Sequence, residues 1–547
     1  MNGWLQHFPI LPVAIPMIAG AAMLLLRDSQ RALKLTLGCA SIVAQLAIAV
    51  VLLCLAAGIM PSGWAEGVGV YLLGDWQAPF GIVVVVDRLS ALMLVLTAVL
   101  GLASWIYSTA RWDRSGVHFH PLFQFLLMGL NGAFLTGDLF NLFVFFEVLL
   151  AASYGLVLHG SGRARVAAGQ HYIIVNLVAS FLLLIAMAMI YGVTGTLNMA
   201  DLALRAGLLQ GPERRLFEAG AAILGVAFLI KAAAWPLNFW LPAAYASACA
   251  PVGAVFAIMT KVGIYALLRI GSLLLPTGAP AAFGGEWMYP LGIATLAFGA
   301  IGLLAATQSE RQAGYCIIMS SGTLLAALGM PGVTLTGPAL YYLVTSVLAL
   351  GALFMLLEMI ERTQSFGADV LAVSMEAFDL DDPEPSDYSD DVVGVAIPAA
   401  MAFLGMSFIA CALLIAGLPP LSGFVAKFSL LSAALETTAN MSLPSMAAWV
   451  LVISVLISGL VGIIAFGRTG IRLFWSSEDT VTPRLRLSEA APVATLIILC
   501  IALSFWAGPV MRYLDQTANY LDSPGAYINA VLSQDSIRAV APTGGLQ

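Results

Sequence analysis

The chain has 547 residues, 61% hydrophobic and only 10% charged, with a mean hydropathy of +0.95; this composition excludes an ordinary soluble globular protein. Its formal net charge of -7 is a local feature, because Asp369, Glu376, Asp379, Asp381, Asp382, Glu384, Asp387, Asp390 and Asp391 all fall in one connection. Nothing in the charge pattern points to nucleic acid, and the chain reads as an all-α polytopic membrane protein.

A helix crossing about 30 Å of hydrocarbon at about 1.5 Å per residue needs roughly 20 apolar residues. Fourteen such transmembrane spans are expected, over 8–26, 34–57, 84–108, 121–136, 139–158, 166–193, 216–241, 251–274, 287–306, 313–330, 336–360, 394–432, 447–475 and 490–514. The first has no basic leader and no small-residue cleavage site, so it is expected to be retained as a helix rather than removed as a signal peptide. Two spans contain prolines that remove a helical donor and crowd the preceding turn: Pro236 in the seventh, Pro419 and Pro420 in the twelfth. Both are expected to be broken helices. The acidic connection, with no Lys or Arg between Arg362 and Lys427, is expected to be a solvated surface loop over 363–392.

Orientation follows from Lys and Arg in short loops, which favour the cytoplasm. Arg27, Arg31, Lys34, Arg111, Arg114, Arg163, Arg165, Arg311, Arg362, Arg484 and Arg486 fall on one side by alternation, which places both termini outside. Two loops give no support: 242–250 should be inside but is uncharged, and 194–215 should be outside yet holds Arg205, Arg214 and Arg215. The stretch Asn198 to Arg205 is expected to be a capped amphipathic turn on the surface.

Spans four to eight and nine to thirteen each make five crossings, so a second copy would run inverted relative to the first. This divides the chain into an N-terminal three-helix segment (1–120), two inverted five-helix repeats (121–274 and 287–475), and a C-terminal helix and tail (476–547). The fourth helix of each repeat is the broken one, and paired interruptions of this kind mark a transport pathway near the midplane.

Of the four lysines, Lys231, Lys261 and Lys427 lie inside hydrophobic spans, whereas the nineteen arginines lie mostly in connections. Glu147 lies nine residues beyond Asp138, roughly 13 Å into the fifth span; Asp138 itself is expected to cap that helix. Ionisable groups at such depth mark ion or proton routes, although a static buried ion pair is the alternative. Three charged lysines and one carboxylate would leave a net +2 in low dielectric, so a variable proton count is expected. Lysine suits this better than arginine, which holds its proton under all conditions. A carboxylate about 7 Å from a lysine favours its charged form by about 2.4 kcal/mol at an effective dielectric of about 20. The distance from Glu147 to Lys231 could therefore gate a relay through Lys261 to Lys427. For Lys261 the alternative is a side chain that snorkels to an interface. His171, at the head of the sixth span, is a candidate for proton entry, or else a structural interfacial histidine. Asp87 and Arg88 are expected to form a local interfacial pair.

Cys39, Cys54, Cys249, Cys316, Cys411 and Cys500 are scattered singly, with no spacing for a metal or cluster, and are expected to be small core residues. Gly67-Val-Gly-Val lacks the strand and helix context of a phosphate loop, and no nucleotide or haem motif occurs elsewhere. No cofactor and no metal site are expected.

Over roughly 80–475 these residues resemble the antiporter-like membrane subunits shared by Mrp-type multisubunit cation/proton antiporters and respiratory complex I. Glu147 in its apolar helix, Lys231 with Trp235-Pro236 and Trp240-Leu-Pro242, and Gly417-Leu-Pro-Pro-Leu-Ser-Gly-Phe-Val-Ala-Lys427 look like the family's gating glutamate and its two broken-helix lysines. Thr260-Lys261-Val-Gly-Ile-Tyr-Ala-Leu-Leu-Arg269 and the lysine at 427 look most like the Mrp antiporters' own D-type chain. Many complex I relatives carry histidines or a lysine where this chain has Tyr245, Ser346 and Leu350, a departure that favours the Mrp type and removes one relay step through the eleventh helix. The resemblance implies one component of a larger complex in a bacterial inner membrane, coupling proton influx to Na+ or K+ efflux. The alternative it leaves open is a proton-pumping component of a complex I-like or hydrogenase-type oxidoreductase.

Overall fold

A computed structural model describes residues 5–274, 287–378, 399–439, 445–474 and 485–534, apart from residues 28, 62 and 161. After α1 (Leu11–Leu25) and α2 (Arg31–Ala56), a hairpin of β1 (Gly69–Leu72) and β2 (Val83–Val86) precedes α3 (Arg88–Ser108). The first five-helix set is α4 (Phe119–Leu135), α5 (Leu139–Val157), α6 (Arg163–Thr194), α8 (Gly211–Lys231) and α10 (Ala250–Leu274); α7 (Met199–Leu208) and α9 (Leu241–Ser247) are short insertions. The second set is α11 (Met288–Ala305), α12 (Ser309–Leu328), α13 (Thr336–Phe378), α14 (Ala399–Ala416) continued by α15 (Ser422–Ala439), and α16 (Met446–Phe474). The described chain closes with α17 (Leu487–Phe505), α18 (Ala507–Asp522) and α19 (Gly525–Leu532).

Eleven helices among the described residues are long and apolar enough to cross a membrane. With the shorter α4, α12 and the interrupted α8/α9 added, and with α14 continued by α15, each of the fourteen expected spans coincides with a helix over the described residues. Both sets close into the same ring of neighbours. α4, α5, α6, α8 and α10 each pack on the next and α10 returns to α4; α11, α12, α13, α14 and α16 repeat the pattern.

The two sets meet along α10, α12 and α13, and α9 of the first packs on α12 of the second. α10 is buried on all sides, with only Leu268 and Gly271 outside its buried residues. A helix apolar all round belongs at the centre of a bundle, and this one carries Lys261 there.

The arginine-bearing ends lie together. Arg31 Nε donates to Asp113 at 2.5 Å, Arg486 donates to the Ala110 carbonyl, and Arg362 forms two bonds to Glu489 at 2.5 and 2.9 Å. Arg165 Nε donates to the Ser247 carbonyl at 2.6 Å, which fixes the uncharged 242–250 loop to this same face. At the opposite face Asn198 caps α7 through Ala200 and Asp201, and Arg205 is held within its own segment by Asp201 at 2.9 Å.

Four expectations need correction. The run from 84 does not begin a helix: Val83–Val86 pairs antiparallel with Gly69–Leu72, as suits consecutive β-branched residues, and Asp87 then caps α3 in a reciprocal box with Ser90. Asp87 does not pair with Arg88. Its carboxylate takes both terminal nitrogens of Arg269, at 2.6 and 2.8 Å, with both side chains almost fully buried, while Arg88 turns to Gln516 and the Ala57 carbonyl. The last span ends at Phe505, because Pro509 cannot bond back to that turn, and α18 runs on as a separate amphipathic helix burying Leu514, Thr517 and Leu521. Lastly, backbone helix continues to Phe378, so Asp369 and Glu376 belong to α13 rather than to a loop. The other acidic residues of that stretch, from Asp379 to Asp391, lie outside the described residues.

Candidate functional site

α8 ends at Lys231 itself. Ala233 then takes a positive φ of 55°, and Pro236 follows before α9 begins at Leu241 with Pro242 in its first turn. The lysine is buried, at 6% exposure, and its Nζ lies 4.8 Å from the centroid of the Phe146 ring, on the residue next to Glu147. Among the described residues Lys231 Nζ has no hydrogen-bond partner and no ion pair. Glu147 is the carboxylate that acts on it electrostatically, but the Glu147 carboxylate is half-buried and accepts a hydrogen bond from Ser180 of α6. Glu147 is thus tied to Ser180 and Lys231 lies over the Phe146 face, with no hydrogen bond or ion pair between the two among the described residues.

Among the described residues, buried polar atoms without a hydrogen-bond partner lie along this break: Lys231 Nζ, Asn238 Nδ2, Trp240 Nε1 and the Tyr245 hydroxyl. Buried polar atoms are nearly always hydrogen-bonded, so a cluster of four on one 15-residue segment is chemistry suited to a chain of water. Aromatic rings frame it. Tyr172 packs against Trp240 at 5.4 Å, Trp240 against Tyr245 at 5.9 Å, and Tyr245 against Phe256 at 4.9 Å.

Lys261 has no exposed surface, and its Nζ donates to Ser321 Oγ of α12 at 3.2 Å. The interfacial snorkelling reading is therefore excluded. α10 approaches the end of α8 so closely that a side chain at Gly263 would stand 2.7 Å from the Phe228 carbonyl oxygen and the Ala232 nitrogen.

At the second break Gly417 takes a φ of 78°, and Pro419 and Pro420 separate α14 from α15. A side chain at Gly423 would stand 1.9 Å from the Leu414 carbonyl oxygen, so the two halves touch backbone to backbone. Lys427 reaches back across the break, and its Nζ donates to the Ile415 and Ala416 carbonyls at 3.0 and 2.9 Å. Those are terminal carbonyls left unpaired by the end of a helix, where a cation is favoured. The two breaks therefore differ: Lys427 is bound to backbone, whereas Lys231 has no such partner.

His171 does not join the lysines. It is exposed, with Nδ1 on the Ala167 carbonyl at 3.0 Å, and it lines a cavity of about 780 Å³ at the arginine-bearing face with Ser247, Glu310, Arg311, Glu361 and Arg472. The cavity reaches α9 through Ala243, Ala246 and Ser247, so it adjoins the segment that carries the unpartnered polar groups. Among the described residues no group of three or more His, Cys, Asp or Glu side chains could hold a metal ion. All six cysteines are unpaired, and Cys249, Cys316, Cys411 and Cys500 are buried.

Sequence reasoning missed the hydroxyls that partner these charges: Ser180, Ser321, and the bond from Ser320 of α12 to Ser346 of α13 at 3.1 Å. Serines are common in membrane helices, and only the direction of their side chains distinguishes these.

The family described as "NADH:quinone oxidoreductase/Mrp antiporter, TM" matches residues 136–458, a stretch that includes Glu147, Lys231, Lys261, Lys427 and both breaks. The chain is 52% identical to the D component of a probable K+/H+ antiporter of Rhizobium meliloti, over the full length of both. It is 31% identical to the D component of the Na+/H+ antiporter of Alkalihalophilus pseudofirmus, covering 97% of this chain and 100% of that one. Among solved structures, a chain of the Mrp complex from Dietzia sp. DQ12-45-1b is similar with a TM-score of 0.79 and 28% identity, over 97% of this chain and 100% of the other.

Proposed function

From the membership of this chain in the NADH:quinone oxidoreductase/Mrp antiporter transmembrane family, to which it belongs by sequence and by fold, we propose that it is the D-type component of a multisubunit monovalent cation/proton antiporter. Protons enter from the cavity beside His171, reach the polar segment at the first break, and pass by way of Lys231 and Lys261 to Lys427. Glu147 sets the proton affinity of Lys231. The exchanged cation is K+ or Na+, the partners are the other membrane subunits of the complex, and the setting is a bacterial inner membrane with both termini outside.

The observation that carries this reading is the placement of Lys231: a buried amine at a helix break, with no hydrogen-bond or ion-pair partner among the described residues, and with Glu147 the carboxylate that acts on it. Nothing static is gained by leaving a buried charge in that state. A carboxylate that moves toward or away from it changes its charge, and that change is the elementary step of a relay.

The reading is tested with everted vesicles that carry the whole complex and hold an imposed ΔpH. Addition of K+ or Na+ should dissipate the gradient, and the absence of any cation response would count against an antiporter. In the same assay Glu147→Gln keeps the shape and removes the charge. It should lower the rate at least about tenfold, a conservative share of what a positioned proton-transfer group contributes. A wild-type rate from that variant, in fully assembled complex, would remove Glu147 from the mechanism.

A further inference from the structure

The half of α3 farthest from the arginine-bearing face carries Leu92, Val95, Leu96 and Val99, which share one side of the helix by their i, i+3, i+4, i+7 spacing. α17 carries a stripe of the same spacing, Leu499, Ala502 and Leu503, that ends on Trp506 just past its last turn. Both stripes line an open groove of about 250 Å³, together with Val344 and Leu348 of α13 and with Val510 at the start of α18. Every lining side chain is Leu, Val or Ala except Trp506.

The groove leads to a charge. Arg88 opens α3 one turn before Leu92, on the same side of that helix. On α18, Val510 lies one turn before Tyr513, whose ring stands 5.4 Å from the Arg88 guanidinium and whose hydroxyl donates to the Arg88 carbonyl at 2.8 Å. Both lines therefore run from the groove to the same arginine. Arg88 is half-buried, and it gives one donor to Gln516 and one to the Ala57 carbonyl, at 2.9 and 3.2 Å. A guanidinium has five. The level is that of a membrane boundary: α17 ends at Phe505, α18 is amphipathic, and Trp506 is 63% exposed, as suits an indole between hydrocarbon and water. Basic residues are scarce at this end, since the loops over 58–80, 275–286 and 433–446 carry no Lys or Arg.

We propose that this groove binds one anionic phospholipid, with an acyl chain along α3 and α17 and the phosphate on Arg88. A helix about 10 Å across, laid over the roughly 10 Å of axis from Leu92 to Val99, would fill on the order of 800 Å³. A groove of about 250 Å³ takes a hydrocarbon chain and excludes a partner's helix. Its lining offers dispersion contacts and almost nothing to hydrogen-bond, while the one lining polar group, the Trp506 indole N–H, sits at the level of the lipid's ester and phosphate oxygens. Lipid that merely surrounds a membrane protein is held at neither end; this molecule is held by the groove below and by the charge above. The site is independent of the lysine relay.

The test uses the whole complex in phosphatidylcholine vesicles with a rising share of phosphatidylglycerol brominated in its acyl chains, and assembly is checked by subunit content. The Trp506 signal is the difference in fluorescence between wild type and Trp506→Phe. It should be quenched at a low share of brominated lipid and then saturate. Arg88→Gln should raise the share needed for half-quenching about fivefold, the worth of one basic residue toward an anionic lipid. Arg88→Lys, which keeps the charge, should stay close to the wild-type value, and Val95→Phe, which fills the groove, should abolish the saturable part. Quenching that only rises in proportion to the brominated lipid would mean ordinary surrounding lipid, and no quenching at all would mean that another subunit covers the groove. Either result overturns the site, as would an unchanged midpoint in Arg88→Gln.

Discussion

Replacing Lys231 with Arg is expected to lower cation-driven proton transport by about 100-fold or more while the complex still assembles. The guanidinium keeps the positive charge, and the aromatic face of Phe146, 4.8 Å from Nζ, accepts it as readily as an ammonium. What is lost is the ability to release a proton, since arginine stays charged under all conditions. The side chain is buried at the end of α8, so a fixed charge there would also hold the Glu147 carboxylate in one relation to it. The check is the rate of ΔpH dissipation normalised to assembled complex. Wild-type transport from Lys231→Arg would mean that the group never changes its protonation.

The second large effect is on stability and lies away from the relay. Asp87, the cap of α3, and Arg269, near the end of α10, form an ion pair with one hydrogen bond and both side chains buried, and the Arg269 guanidinium lies 5.1 Å from the Tyr527 ring of α19 and 5.6 Å from Tyr265. The pair therefore clasps the C-terminal end of α10 to the junction of β2 with α3 and to the C-terminal helices. Removing one partner strands the other charge, at a cost of about 3–5 kcal/mol. Arg269→Ala or Asp87→Ala should thus sharply lower the thermal midpoint of the solubilised protein, and the double variant should lose less than the sum of the two. Additive losses would mean that the two side chains act independently.

The pH dependence of this pair has a definite sign. Burial pushes the Asp87 carboxyl upward, but the Arg269 charge and the hydrogen bonds from Arg269 and Ser90 outweigh it and hold the carboxyl below its ordinary value of 3.8. A carboxyl whose folded value is depressed contributes stability that is fully present above the unfolded value. That contribution is lost as the pH falls below 3.8 and through the lowered value.

The buried lysines were legible because a charge in an apolar run is rare and must be explained, and the breaks because proline cannot continue a helix. Fourteen spans could be counted for the same reason that hydropathy works at all: a crossing must be long and apolar. The Val83–Val86 strand was not, since four valines read equally well as the start of a span or as a strand. Its pairing with Gly69–Leu72 is decided only in three dimensions. Asp87 had an adjacent arginine in sequence, and that neighbour hid the true partner 182 residues away. Ser180, Ser320 and Ser321 carry no sequence signal, because position in a helix does not reveal which way a hydroxyl donates. The start of α18 did have a signal, Gly508-Pro509, that marks a new helix rather than a continued one.

The central claim is that a proton moves laterally through the buried lysines, and Lys261 at the junction of the two halves is where it is most exposed to test. Everted vesicles carrying the assembled complex with Lys261→Ala should hold an imposed ΔpH unchanged when K+ or Na+ is added, while wild-type vesicles lose it. If the Lys261→Ala vesicles dissipate the gradient at the wild-type rate, protons do not travel by this route.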